Sequence, residues 1–140
     1  AGASYGGCAA LMVAVKHSDT FRCAASFAGV TDLEQIIRDA NAFSNKKIVR
    51  KQIGTDSDQL EATSPVNFAN KINVPILLIH GTDDQIVPVK HSQVMAAALA
   101  QQNKQVDYIE IEEANHHLSN QGHRIKTLKA MADFFAKHLN

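Results

Sequence analysis

An α/β fold, a parallel sheet covered by helices, follows from three features of the sequence. Val74-Pro75-Ile76-Leu77-Leu78-Ile79-His80 is a near-continuous apolar run, the pattern of a strand buried on both faces. Segments of helical periodicity separate it from two further strand-like runs, and strands joined by helical crossovers pair in parallel. The composition suits one packed core: 140 residues, 45% hydrophobic and 20% charged, a balance that disordered chains lack.

The elements follow in order. After Gly2-Ala3-Ser4-Tyr5-Gly6-Gly7, residues 8–16 are rich in Ala, Leu and Met and poor in β-branched side chains, which predicts a buried helix. Residues 23–28 form a short run of small apolar side chains closed by Gly29 and read as a buried strand. Thr31-Asp32-Leu33-Glu34 has the form of a capping box, opening a helix with Leu33, Ile36, Ile37 and Ala40 on one face and an end near Phe43. Residues 44–53 continue helically with a Lys/Arg-rich face up to Gly54, and Ser64-Pro65 supplies a cap and a first-turn proline for a further short helix. Pro88 opens a helix through Gln101, and residues 106–111 form the last strand. Ile125, Leu128, Ala132, Phe135 and Leu139 line one face of a terminal helix.

Charge and length exclude several functions. Fourteen Lys plus Arg balance fourteen Asp plus Glu, so no summed field attracts nucleic acid or an anionic membrane surface. The longest apolar runs, 9–15 and 74–79, fall well short of the roughly 20 residues that cross a bilayer. Cys8 and Cys23 have neither C-x-x-C nor zinc-ligand spacing and read as reduced, buried thiols, with a disulfide between them as the alternative.

Three loops that leave strand ends carry the reactive side chains, the place where ligands meet such sheets. Gly2-Ala3-Ser4-Tyr5-Gly6 matches the G-x-S-x-G nucleophile elbow, in which glycines let the turn approach its strand and the Tyr5 N–H is free to bind an oxyanion. His80-Gly81-Thr82-Asp83-Asp84-Gln85-Ile86-Val87-Pro88 offers two carboxylates, which at a strand end suit a triad acid or a metal site: Asp83 reads as a turn or cap residue, Asp84 as the functional one. Glu112-Glu113-Ala114-Asn115-His116-His117-Leu118-Ser119 holds two candidate bases. Among the other histidines, His17, His91, His123 and His138 read as solvated, and His80, at a strand end before the acid, as packed and hydrogen-bonded. His116, His117 and His123 lack a zinc spacing, so no metal is expected. Ser4, Asp84 and His116 together give the chain order Ser, Asp, His of a hydrolase triad on three successive loops.

At these residues the sequence resembles the catalytic domain of the prolyl oligopeptidase family of serine peptidases, within the α/β-hydrolase fold. Gly2-Ala3-Ser4-Tyr5-Gly6-Gly7 looks like that family's elbow, His80 to Pro88 like its H-G-x-x-D-x-x-V-P acid loop, and Asn115-His116-His117-Leu118-Ser119 like its histidine loop. The resemblance implies Asp84 as the acid and His116 as the base, with Tyr5, Val30 and Val87 walling the pocket for the side chain on the acyl side of the cut bond. It implies a peptide substrate, no cofactor, and an activity of acylaminoacyl- or dipeptidyl-peptidase type; the alternatives are a carboxylesterase or other acyl hydrolase, or a catalytically silent piece. Cys8 departs from the aromatic residue common at its position. Against the family's catalytic domain the chain corresponds to the C-terminal part, about three strands of a parallel sheet starting at the elbow. The upstream strands, a propeller and the upstream tyrosine that serves as second oxyanion donor are expected to be absent. The strand at 23–28 would then present an open edge, so homo-oligomerisation or association with the remainder of the domain is expected.

Overall fold

The computed structural model describes residues 1–40 and 46–139. Among them, four strands lie side by side in chain order, all parallel: β1 (Gly2–Ala3), β2 (Ala24–Phe27), β3 (Ile76–Gly81) and β4 (Val106–Ile111). The α/β-hydrolase-type expectation holds, with one strand added to the expected three. β1 is only two residues long, too short for any periodicity to reveal. It pairs Gly2 with Ser26 and Ala3 with Phe27, so the carboxyl half of β2 is covered while Ala24 and Ala25 have no partner on that side.

The helices are α1 (Tyr5–Lys16), α2 (Leu33–Ala40), α3 (Lys46–Ile53), α4 (Ser57–Ala62), α5 (Lys90–Gln101) and α6 (Gln121–Leu139), with a 3-10 helix at Pro65–Lys71. The predicted end near Phe43 and the start of the next helix at Ser44 lie outside the described residues. Every residue of β3 is buried, and alternation along it divides the core. Ile76 and Leu78 face Leu11 and Ala14 of α1 and Met95 and Leu99 of α5. Leu77 and Ile79 face the other way, toward Ala25, Phe27, Ile111 and Phe134 of α6. A third cluster, Cys8, Val30, Leu33, Ile36, Ile37, Leu60 and Val87, seats α2 and α4 over the carboxyl end of the sheet.

Local details depart from the sequence reading. The capping box shifts by one residue: Asp32 Oδ1 accepts the Gln35 N–H at 2.8 Å, while the Thr31 hydroxyl donates to the His91 carbonyl at 2.7 Å. Ser64 does not cap the helix after it. Its Oγ accepts the Leu33 N–H and donates to the Leu60 carbonyl, both at 2.8 Å, tying α2 to α4. His91 is buried rather than solvated, its Nδ1 accepting the Thr31 N–H at 3.3 Å and its Nε2 lying 3.4 Å from Asp39. Burial pushes its pKa down, against the pull of Asp39. The apolar face expected of α6 also turns: Thr127 and Phe134 are buried, whereas Ile125, Leu128 and Leu139 stay exposed, with Ala132 exposed beside them.

Candidate active site

Ser4 stands between β1 and α1 with φ 55° and ψ −124°, a left-handed conformation that costs a non-glycine residue about 1–3 kcal/mol. Four backbone hydrogen bonds enforce it. The Ser4 N–H donates to the Phe27 carbonyl at 2.9 Å, and the Ser4 carbonyl accepts from Gly7, Cys8 and Val30 at 3.0, 3.2 and 3.4 Å. A Cβ on Gly2 would lie 2.0 Å from the Gly6 carbonyl oxygen, so the strand and the first helical turn meet backbone to backbone. Gly6 itself needs no such room, since nothing lies within 4 Å of its Cβ position. The Ser4 side chain does not cap α1, and as first residue of the helix Tyr5 has no carbonyl one turn back for its N–H. That N–H is therefore left without an intrahelical partner, at the position where the sequence reading expects an oxyanion donor.

Asp84 follows β3 and is buried. Its Oδ1 accepts the backbone N–H of Ile86 and of Val87, both at 2.9 Å, and its Oδ2 accepts Nδ1–H of His116 at 2.7 Å. Burial alone would raise the Asp84 pKa; the hydrogen bonds from His116, His80, Val87 and Ile86 outweigh it and hold the carboxyl well below the usual carboxylate range. A carboxylate only accepts, so His116 carries its proton on Nδ1 and leaves Nε2 basic. Gly81 lets the two loops meet: a Cβ there would come 2.1 Å from the Ala114 carbonyl oxygen. Asp83 is exposed, and its N–H donates to that same carbonyl at 3.1 Å, which fits the turn role expected of it.

Among the described residues, Asp84 and His116 are thus hydrogen-bonded, while no hydrogen bond joins Ser4 Oγ to His116. Ser4 lines a cavity of about 390 Å³ with Tyr5, Val30, Ile36, Val49, Gln52, Ile53, Ile86 and Val87. The three expected wall residues are there. Ile36, Val49, Gln52 and Ile53 reach the cavity through the packing of α2 and α3 and carry no sequence motif, and Ile86 comes from an unspecified position of the acid loop. His117 stacks edge-on to His116 with ring centroids 5.5 Å apart and makes no hydrogen bond to the acid. Cys8 and Cys23 are free and buried. Burial pushes the Cys8 thiol up to about 11, so it is no rival nucleophile beside the elbow.

A parallel sheet bearing a strained serine between strand and helix, with an acid loop and a histidine loop after later strands, is an α/β-hydrolase arrangement. The chain belongs to the prolyl oligopeptidase family, whose sequence model matches residues 1–140. It is 28% identical over 117 residues to the uncharacterized peptidase YuxL of Bacillus subtilis, covering 81% of this chain and 17% of that protein. It is also 28% identical over 123 residues to dipeptidyl peptidase family member 6 of Caenorhabditis elegans, covering 82% of this chain and 17% of that protein. Among solved structures, a Mycobacterium tuberculosis puromycin-hydrolyzing peptidase superposes with TM-score 0.90 at 27% identity, over 99% of this chain and 21% of that one. An acylaminoacyl peptidase in complex with Z-Gly-Gly-Phe-chloromethyl ketone gives TM-score 0.84 at 28% identity, over 99% and 23%. The chain spans about a fifth of the length of each of these proteins.

Proposed function

We propose that these residues carry the catalytic groups of a serine-type peptidase that cleaves short peptides through an acyl-enzyme, in the manner of acylaminoacyl or dipeptidyl peptidases. Ser4 Oγ attacks the peptide carbonyl carbon while His116 Nε2 takes its proton, and Asp84 holds the imidazole and balances its charge. The Tyr5 N–H binds the oxyanion. His116 then returns the proton to the leaving amine as the C–N bond breaks. Water, activated by the same imidazole, hydrolyses the ester on Ser4. The observation that carries this reading is the 2.7 Å bond from His116 Nδ1 to a buried, ionised Asp84, in a structure where the only strained residue on the neighbouring elbow is a serine. The cavity beside Ser4 has an apolar lining that suits a neutral side chain.

The test uses the native polypeptide that carries these residues. A fluorophosphonate labels the wild type and fails to label Ser4→Ala; no label on the wild type overturns the reading. Peptide anilides turned over faster than short-chain nitrophenyl esters support a peptidase, and the reverse ranking identifies a carboxylesterase. For the chain by itself, the supported proposal is self-association, since the apolar stripe of α6 is left exposed.

A further inference from the structure

His80 is wholly buried and has no part in the proton transfers described above. It is the penultimate residue of β3, a strand buried along its whole length. Its Nδ1 lies 2.7 Å from Ser92 Oγ of α5, its Nε2 lies 2.8 Å from the Val87 carbonyl, and that same Nε2 lies 3.4 Å from Asp84 Oδ2. A carbonyl and a carboxylate both accept only, so Nε2 carries a hydrogen, which is bonded to the Val87 carbonyl and has the carboxylate oxygen beside it at 3.4 Å. Asp84 Oδ2 is therefore shared: His116 donates to it from one side and His80 faces it from the other. The torsion of a carboxylate about Cβ–Cγ is soft and turns both oxygens together, so the two backbone N–H groups on Oδ1 and the contacts on Oδ2 restrain the same rotation. Among the described residues, His80 is the side chain other than His116 that lies against Oδ2.

We propose that His80 is a positioning residue, which holds the Asp84 carboxylate in line with His116 and is itself aimed by the Ser92 hydroxyl. This rests on the triad assignment made above. It concerns orientation of the acid, so its loss lowers turnover by more than it changes KM, the KM effect passing through Val87, which His80 also holds.

The experiment compares variants at His80 in the native polypeptide. The side-chain nitrogen of Gln reaches the Nε2 position of histidine, whereas the shorter Asn reaches only the Nδ1 position. Expected are a fall in kcat of about 100-fold for His80→Asn with a smaller change in KM, the size set by small misplacements of catalytic groups, and retention of kcat within about tenfold for His80→Gln. Ser92→Ala, which frees the ring but leaves Asp84 and all triad members, lowers kcat at unchanged KM and serves also where His80→Asn does not fold. Equal losses in the Gln and Asn variants, an effect confined to KM, or full turnover in Ser92→Ala overturns the inference. Fluorophosphonate labelling of the wild type separates this failure from failure of the triad itself, because a labelled wild type with indifferent His80 variants rejects only the role of His80.

Discussion

Asp84 illustrates how much a single side chain is asked to do. Both oxygens face donors, Oδ1 two backbone N–H groups and Oδ2 the rings of His116 and His80. In Asp84→Asn, whichever way the amide turns, its NH2 meets a donor, so a buried group is left unsatisfied and His116 is pushed toward the wrong tautomer. The expected result is a loss of about 10⁴-fold in kcat, the size seen when a triad carboxylate is made an amide, with destabilisation of about 1–3 kcal/mol. The carboxyl also makes stability depend on pH. Its pKa in the folded chain is depressed, so its contribution is fully present above the unfolded value near 3.9 and disappears as acidification carries the pH through the folded one. The gap between urea melts of the wild type and Asp84→Asn should therefore begin to close below about pH 4 and keep narrowing in stronger acid. A gap that stays constant from pH 6 to strong acid would contradict the assignment.

At the scale of elements, the site depends on backbones that touch. β3 and β4 end side by side, with the Thr82 N–H on the Ile111 carbonyl and the Asp83 N–H on the Ala114 carbonyl, both at 3.1 Å. Gly81 has no room for a Cβ against Ala114, and the obstructing atoms are backbone, which cannot rotate aside. Gly81→Ala therefore moves the acid loop away from the histidine loop. We expect a lower melting temperature together with a kcat reduced by about 100-fold, the consequence of roughly an ångström of misplacement; a variant of unchanged stability and turnover would show that the loops do not rely on this approach. The same reasoning explains the Ser4 strain, which persists because four hydrogen bonds on its backbone leave it no alternative.

Across the whole molecule, both faces of the sheet are packed but the surface is uneven in what it exposes. Ile125, Leu128, Ala132, Phe135 and Leu139 recur along α6 at alternating steps of three and four, and three of them are more than half exposed. Phe134, one residue before Phe135, is buried against the sheet. Phe134→Ala should thus cost about 3–5 kcal/mol in a urea melt, whereas Leu128→Glu should alter stability by no more than about 0.5 kcal/mol. In sedimentation the chain alone should show a mass that rises with concentration, reduced in Leu128→Glu. A single-chain mass at all concentrations would refute self-association.

Signals confined to a few neighbouring residues were readable without coordinates. The strand at β3, the elbow around Ser4, the acid at Asp84 and the histidine loop each have a local cause: apolar continuity, a glycine-flanked turn, or a carboxylate just past a strand. The packed state of His80 could also be inferred, from its place at a buried strand end. Other features depend on atoms far apart in the chain. Asp32 rather than Thr31 caps α2 because His91, 60 residues later, takes the Thr31 hydroxyl and N–H. Ser64 abandons its own helix for Leu33, and the face that α6 buries is set by the shape of the sheet beneath it, which hydrophobic spacing alone does not encode. The partners of His80 belong to this second kind: its residue type and position are one-dimensional facts, but the hydroxyl, carbonyl and carboxylate around its ring converge only when β3, α5 and the loop between them are packed in three dimensions.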